Sequence, residues 1–139
     1  MKETICAFFG VIGSALVYYI GGVDTVLTVL AIFMVIDYIS GIIVAVIFKN
    51  SPKTESGKVN SGASLKGLCK KLFMMVLVGV AHLLDLVLGT DFIRSGLVIA
   101  FITNETISII ENAGLMGIPI PKVLENAIDI LNEKEVNNG

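Results

Sequence analysis

Four ionisable side chains stand inside long apolar stretches of the sequence: Asp37, His82, Asp85 and Glu105. Carboxylates and imidazoles hold protons, pair with cations and bind water, and each of these roles requires polar surroundings. At the centre of a bilayer an ionisable group costs at least roughly 2.5 to 3.5 kcal/mol on insertion scales. If these stretches cross a membrane, we therefore expect all four side chains to face protein or water and to avoid lipid.

Further polar residues lie beside these groups when the stretches are drawn as helices. At about 100° per residue, the polar residues from Asn104 to Asn112 fall within an arc of about 120°, and His82 and Asp85 lie about 60° apart. Small residues recur every four positions after Asp37, a pattern that lets helix backbones approach closely. The predicted polar face, which forms either a subunit contact or the lining of a pore, comprises Asp37, Ser40, Gly41, His82, Asp85, Asn104, Glu105, Ser108, Glu111 and Asn112.

These residues do not form a recognisable catalytic motif. His82 and Asp85 resemble part of a dyad, but the sequence offers no nucleophile and no third partner at a matching depth. Cys6 and Cys69 stand apart, without a CxxC motif or histidine ligands, and the sequence has no glycine-rich phosphate loop or dinucleotide fingerprint. We expect neither an enzyme nor a cofactor or metal site.

The elements that must position the polar residues are long and apolar. Hydrophobic residues occupy 55% of the 139 positions. An unpaired backbone amide in hydrocarbon costs several kcal/mol, so a crossing segment is a helix of roughly 20 residues or part of a closed barrel. Continuous apolar runs favour helices. The sequence predicts an all-α membrane protein, with a domain over residues 1–112 that has four transmembrane helices in two tight hairpins, at about 5–23, 25–48, 72–90 and 92–110.

Lysines between the two hairpins set the expected orientation. Basic short loops stay in the cytoplasm, so both hairpin turns are predicted to face outward and both termini to be cytoplasmic. The lysines either only set the topology or also hold the loop against anionic lipid. With twelve acidic and ten basic residues, the chain has no field suited to binding nucleic acid. The predicted cytoplasmic loop, residues 49–71, contains Lys49, Lys53, Lys58, Lys66, Lys70 and Lys71.

Residues 113–139 are predicted to form a cytoplasmic tail. Pro121 is a typical residue at the start of a helix, and apolar residues from Val123 to Leu131 recur at helical spacing opposite acidic ones. This pattern predicts a short amphipathic helix over about 121–135. The helix lies on the membrane or pairs with a neighbouring subunit, although its acidic face disfavours an anionic surface.

The carboxylates raise the question of a second copy. Packing between helices explains small polar residues such as Ser40 and Ser108, but it explains carboxylates less easily, because hydrogen bonds in membranes average below about 1 kcal/mol. Four short helices have little interior in which to bury three carboxylates and a histidine. We therefore expect the chain to form a homo-oligomer, with its polar faces turned inward.

Several short motifs resemble those of a known family, the phage-lysis and toxin-secretion holins of Gram-positive bacteria and their phages, including clostridial toxin-secretion types. The similarity extends from about Met34 to Leu124, and the order and spacing of the motifs carry it. The motifs are Asp37-Tyr38-Ile39-Ser40-Gly41, Lys66-Gly67 followed by Lys70-Lys71, Ala81-His82-Leu83-Leu84-Asp85, and Asn104-Glu105 continuing through Ser108, Glu111-Asn112 and Gly117 to Pro119 and Pro121.

The resemblance implies a small multi-pass protein of the bacterial cytoplasmic membrane that is not an enzyme. It implies that copies associate with one another in lipid and open lesions that release a murein hydrolase or, in some loci, a protein toxin. That hydrolase or toxin is a functional partner without implied direct contact. Two other functions use the same polar faces: a narrow ion or small-solute channel, and a membrane scaffold or holin antagonist that forms no pore. A small transporter is expected to show internal repeats with broken helices, and the two hairpins share only crude symmetry.

Overall fold

A computed structural model describes residues 1–50, 52, 57–58 and 60–138 of the chain, without the side chains of residues 131, 132, 135 and 138. Lys53, which belongs to the predicted basic loop, lies outside the described residues. The described part is all-helical and contains no strand. Its helices are α1 (Lys2–Tyr19), α2 (Thr25–Ile43, continued by a π-helical segment Val44–Phe48), α3 (Ser61–Leu88), α4 (Ile93–Leu115) and α5 (Lys122–Asn138).

Three of these helices are long and apolar enough to cross a membrane: Thr25–Phe48, Ser61–Leu88 and Ile93–Leu115. The first matches the predicted span 25–48, and the third overlaps the predicted span 92–110. Helix α1 is not among the three, because its 18 residues include Lys2 and Glu3 and its apolar run is correspondingly short. The predicted span 5–23 is therefore not confirmed, and the sidedness of both termini stays a prediction.

The predicted loop 49–71 is wrong over its second half, because α3 begins at Ser61. The Asn60 side chain accepts hydrogen bonds from the backbone N–H groups of Gly62 at 2.8 Å and Ala63 at 3.2 Å. This is an N-cap, which satisfies donors that the first helical turn leaves unpaired. Lys66, Lys70 and Lys71 consequently lie on α3, and not in a loop. Lys49, with a left-handed φ of 50°, ends the helical run of α2, and Lys58 lies between α2 and α3.

Helix α4 is the centre of the bundle, since α2, α3 and α5 all pack against it, whereas α2 and α3 meet each other at few points. Between α2, α3 and α4 lies a layer of buried apolar side chains, which we call the apolar layer. In lipid such a layer stabilises the bundle mainly through close packing. It consists of Leu27, Leu30, Met34, Met74, Val78, Val98 and Ile102.

Helix α5 contacts α4 alone among the described helices. The chain reaches it after Gly117, whose φ of 83° favours glycine, and it begins at Lys122. Val123 and Leu124 are exposed, while Ala127 and Ile128 are half-buried. Whether α5 lies in the cytoplasm, on the membrane or against a neighbouring subunit stays a prediction.

Helix α1 is held mainly at one end. None of its residues is buried. At its last residue, the Tyr19 ring packs directly against Gly79 of α3, and the Tyr19 hydroxyl donates a hydrogen bond to the Val76 carbonyl oxygen at 3.0 Å. Gly79 is therefore the residue whose missing side chain lets α1 dock on the bundle.

Substituting Gly79→Ala is expected to detach Tyr19 from α3, because the added methyl group would overlap the Tyr19 ring. Overpacking of this kind costs about 1 to 3 kcal/mol. The rate at which chymotrypsin cuts after Tyr18 or Tyr19 in micelles should rise several-fold. Gly10→Ala is the matched control, since a methyl group at Gly10 would meet nothing within 4 Å. Equal cleavage rates for both variants would contradict the docking role of Gly79.

Candidate functional site

A lysine bridges two carboxylates between the three spanning helices. The Lys71 ammonium on α3 lies 2.7 Å from Asp37 Oδ2 on α2 and 2.6 Å from Glu105 Oε2 on α4. Charge-assisted hydrogen bonds of this length are among the strong ones in proteins. The Lys71 side chain thus links three helices, α2, α3 and α4.

Neutral hydrogen-bond donors complete the surroundings of Asp37. The Ser108 hydroxyl donates to Asp37 Oδ1 at 2.6 Å, and the Asn112 amide donates to the same oxygen at 3.1 Å. The Asn112 amide also donates to the Ser40 hydroxyl oxygen at 2.8 Å, and the Ser40 hydroxyl donates to the Asp37 carbonyl oxygen at 3.0 Å. We call Ser40, Asp37, Lys71, Glu105, Ser108 and Asn112 the lysine cluster.

The lysine cluster is buried. The side chain of Asp37 is 6% exposed, that of Glu105 is 3% exposed and that of Lys71 is 14% exposed. With both carboxylates ionised, the cluster contains two negative charges and one positive charge. Burying an unpaired charge is expensive, so the ammonium is required for both carboxylates to stay in the interior.

An open groove of about 730 Å³ lies beside the cluster, between α2 and α3 with α4 as its floor. Asn104 and Glu111 of α4 are exposed and line this groove. Small residues line it on both helices, Gly41 and Ala45 on α2 and Ala63 and Gly67 on α3. The described residues that line the groove also include Tyr38, Asn60, Ser64, Lys70, Phe101 and Ile107.

A second group of polar residues lies where the α1–α2 and α3–α4 turns meet. Asp85, in the last turn of α3, accepts hydrogen bonds from the backbone N–H groups of Ile93 at 3.0 Å and Arg94 at 2.9 Å, and from the Thr90 hydroxyl at 2.6 Å. Asp85 therefore caps α4, where a negative charge is favoured by the helix dipole. Its role at this end is structural.

Arg94 links the two turns. Its guanidinium donates to the carbonyl oxygens of Ile20 at 2.6 Å and Gly22 at 3.0 Å, and to Asp24 Oδ2 at 2.9 Å. Gly21, with φ of 84°, packs so closely against His82 and Arg94 that a Cβ there would lie 2.6 Å from His82 Nδ1. We call Asp24, Asp85, Thr90 and Arg94 the arginine cluster. It places both hairpin turns at the same end of the bundle.

The structure divides the predicted polar face into two separate groups. Five of its members lie in the lysine cluster, and three others, Gly41, Asn104 and Glu111, line the groove. His82 and Asp85 lie at the opposite end, beyond the apolar layer. The premise that one chain lacks the interior to satisfy its carboxylates was wrong, because Lys71 pairs with both Asp37 and Glu105 within one chain. Oligomer formation itself stays a prediction.

Sequence reasoning missed the central role of two cations. Lys71 was assigned to the basic loop, although Asn60 followed by Ser61 was a usable N-cap signal for an earlier helix start. Arg94 was not among the predicted polar residues. Its contacts with the Ile20 and Gly22 carbonyl oxygens depend on how α1 folds back, which no local pattern reveals.

The fold and the site define an all-helical membrane protein whose spanning helices are joined by a buried ion-pair network. A family model described as the bacteriophage holin family matches residues 14–133. The chain therefore belongs to the bacteriophage holin family. This family comprises non-enzymatic membrane proteins, and nothing in the described site points to catalysis.

Similar proteins occur in several bacteria. The chain is 37% identical over 129 residues to an uncharacterized protein of Listeria monocytogenes, with 91% of this chain and 86% of the relative covered. It is 38% identical over 135 residues to an uncharacterized protein of Listeria innocua, covering 96% and 88%. It is 33% identical over 126 residues to an uncharacterized 14.9 kDa protein in the nagH 3′ region of Clostridium perfringens, covering 89% of each. No solved structure matches the chain.

Asp24 makes the stability of the fold depend on pH. The Leu27 N–H and the Arg94 guanidinium hold the pKa of the Asp24 carboxyl below its ordinary value of 3.8. A lowered pKa in the folded state stabilises the fold above the unfolded pKa, and this stabilisation is lost as pH falls through the folded pKa. In micelles, the thermal stability of the wild type should exceed that of Asp24→Asn at pH 7, and the difference should shrink below about pH 4. A constant difference from pH 7 to pH 3 would contradict this role.

Proposed function

We propose that this protein is a holin that associates with further copies of itself in the bacterial cytoplasmic membrane and opens lesions that release a murein hydrolase or a protein toxin. Membership of the bacteriophage holin family supports the class of protein. The observation that carries the proposal is the Lys71 ammonium, which holds Asp37 and Glu105 together inside one chain. This arrangement supports a closed resting state of the chain, which is lost when the ion pairs of Lys71 separate.

The ion pairs allow the closed chain to accumulate in lipid. Because each carboxylate has its partner within the chain, a single copy can enter the bilayer without exposing a bare charge. Small residues and apolar surface remain available for association with other copies. Association is then a consequence of rising concentration, and not a condition for stable insertion.

Opening requires the lysine cluster to separate. Helices α2 and α3 make few direct contacts, so their relative position depends on α4 and on the bridge through Lys71. When α2 and α3 move apart, Asp37, Lys71 and Glu105 lose their partners and require water. A lesion lined by these polar side chains supplies it. A charge that changes depth also responds to membrane potential, at about 2.3 kcal/mol per charge per 100 mV.

Substituting Lys71→Met is expected to advance the onset of dye entry after induction, because two buried carboxylates lose their cation. Breaking a buried pair costs about 3 to 5 kcal/mol, which destabilises the closed state. Glu105→Gln and Asp37→Asn should each delay onset, since either change leaves a neutral pair with less need of water. Entry of a membrane-impermeant dye, followed over time at matched membrane content, measures all three variants.

Two controls accompany these variants. Lys71→Met combined with Glu105→Gln leaves one carboxylate that still binds Ser108 and Asn112, so its onset should return toward the wild type. Glu125→Gln removes a negative charge from the exposed face of α5 and should leave onset unchanged. If both Asp37→Asn and Glu105→Gln leave the onset and the extent of dye entry unchanged, the proposal is contradicted.

The size of the released molecule separates the proposed holin from the other functions. Inducible expression with and without a cytoplasmic murein hydrolase should give abrupt lysis only when both proteins are present. Dye entry without hydrolase-dependent lysis would instead indicate a narrow channel. An intact permeability barrier at full expression would indicate a scaffold or antagonist.

A further inference from the structure

Helix α3 is longer than the hydrocarbon of a bilayer is thick. At about 1.5 Å per residue its 28 residues span about 42 Å, whereas the hydrocarbon measures about 30 Å. The apolar run of α3 extends from Leu72 to Leu88, where the α3–α4 turn follows. The excess length therefore falls on the first turns of α3, at the end of the bundle beside the lysine cluster, which we call the lysine end.

The outer side of these first turns carries lysines next to an apolar residue. Leu65, Lys66, Cys69 and Lys70 are all exposed and, at about 100° per residue, fall within an arc of about 140°. Lys71 points the other way, into the lysine cluster. Within the part of the chain that the structure describes, neither Lys66 nor Lys70 forms an ion pair. We call Leu65, Lys66, Cys69 and Lys70 the α3 face.

Helix α5 presents the opposite charge in a similar arrangement. Its exposed residues Val123, Asp129, Ile130 and Glu133 fall within an arc of about 120°, so that two carboxylates adjoin two apolar side chains. Among the described residues, Asp129 and Glu133 form no ion pair, and α5 contacts no helix other than α4. We call Val123, Asp129, Ile130 and Glu133 the α5 face.

The two faces lie at the same end of the bundle. Helices α3 and α4 are joined by a short turn and pack against each other in opposite directions, so α3 begins where α4 ends. Helix α5 follows the end of α4 and begins at Lys122. Two copies with the same orientation in a membrane therefore present the α3 face and the α5 face on the same side of the bilayer.

The charges of the two faces match in sign and in spacing. Lys66 and Lys70 are four residues apart, about 6 Å along the helix axis, and so are Asp129 and Glu133. Two ion pairs can therefore form at once between helices packed side by side. An anionic lipid surface would attract the α3 face but repel the α5 face, whereas a second copy of the chain pairs both.

We propose that the α5 face of one copy docks on the α3 face of a second copy, with Asp129 and Glu133 paired to Lys66 and Lys70. Because the two faces differ, a pair of copies joined by one such contact keeps one free face of each kind, and further copies can add. This inference rests on the association of copies in the proposed function and names the surfaces through which they meet.

Disulfide cross-linking between two differently tagged full-length chains in membranes tests the contact. The first chain carries Cys6→Ala and keeps Cys69, and the second carries Cys6→Ala, Cys69→Ala and Ile130→Cys. Copper phenanthroline is the oxidant. A disulfide that joins the two tags requires the α3 face of one chain to lie within about 7 Å of the α5 face of another.

Two matched controls place a thiol away from the proposed contact. In the second chain, Leu124→Cys replaces Ile130→Cys, because Leu124 is also exposed but lies on another side of α5. In the first chain, Cys6 is kept in place of Cys69, since it is exposed on α1. The yield of the disulfide between Cys69 and Ile130→Cys should exceed both controls at least about fivefold, because disulfide geometry is strict.

Exchanging the charges tests the predicted ion pairs. Lys66→Glu with Lys70→Glu in the first chain should lower the yield about fivefold or more, because two attractive pairs become repulsive. Asp129→Lys with Glu133→Lys in the second chain should have the same effect. Both reversals together restore opposite charges, and the yield should return to within about twofold of the unreversed pair. Such a rescue also shows that the reversed chains still fold.

Several results would overturn the contact. A yield no higher than in the two controls, or a loss that the exchanged charges do not rescue, contradicts it. A disulfide that forms within one chain carrying both Cys69 and Ile130→Cys, without joining the tags, shows that α5 docks on its own α3. If no disulfide forms and spin-labelled lipid headgroups quench a fluorophore on Cys69, the α3 face binds the lipid surface.

Native gels of the wild type separate failure of this contact from failure of the proposed function. Oligomers that form without the disulfide between Cys69 and Ile130→Cys contradict the contact alone, because copies then associate through other surfaces. A wild type that stays monomeric at full expression contradicts the proposed association as well.

Discussion

The structure depends on the cost of placing a carboxylate in hydrocarbon. Asp37 and Glu105 lie in the spanning parts of α2 and α4, and the Lys71 ammonium meets both. Lys71 directly precedes the apolar run of α3, a helix that begins at Ser61 after the Asn60 cap. This one contact links α2, α3 and α4 beside the groove.

The cost of burying a carboxylate is offset by different contacts at the two ends of the bundle. Asp85 lies at the N-terminus of α4, so backbone N–H groups and the helix dipole offset its charge. Asp24 is half exposed and pairs with Arg94. In the lysine cluster, Lys71 pairs with both carboxylates, and Ser108 and Asn112 donate further hydrogen bonds to Asp37. Each cluster thus has two carboxylates and one cation, and the turn end differs in that backbone N–H groups and the helix dipole also stabilise one of its carboxylates.

Apolar patterning predicted an all-helical chain and the span over 25–48, but it did not predict the early start of α3. Three residues of the polar arc on α4, Glu105, Ser108 and Asn112, lie in the lysine cluster. The patterning did not predict their partner. Lysine next to an apolar run ordinarily marks a cytoplasmic loop, and that rule placed Lys71 outside the membrane. A long aliphatic stem lets a lysine reach several ångströms along a helix, so its partners depend on the rotation and depth of neighbouring helices. Those quantities are set by tertiary packing.

The two ends of the bundle are joined by different connections. At the turn end, the Arg94 side chain binds the α1–α2 turn to α4, and the Asp85 side chain binds the start of α4 to α3. Helices α1, α2, α3 and α4 are therefore joined at this end by short turns and by charged side chains. At the other end, a groove lies between α2 and α3. In the proposed opening, α2 and α3 therefore move apart at the lysine end while the turn end acts as the pivot, and the separated charges require water.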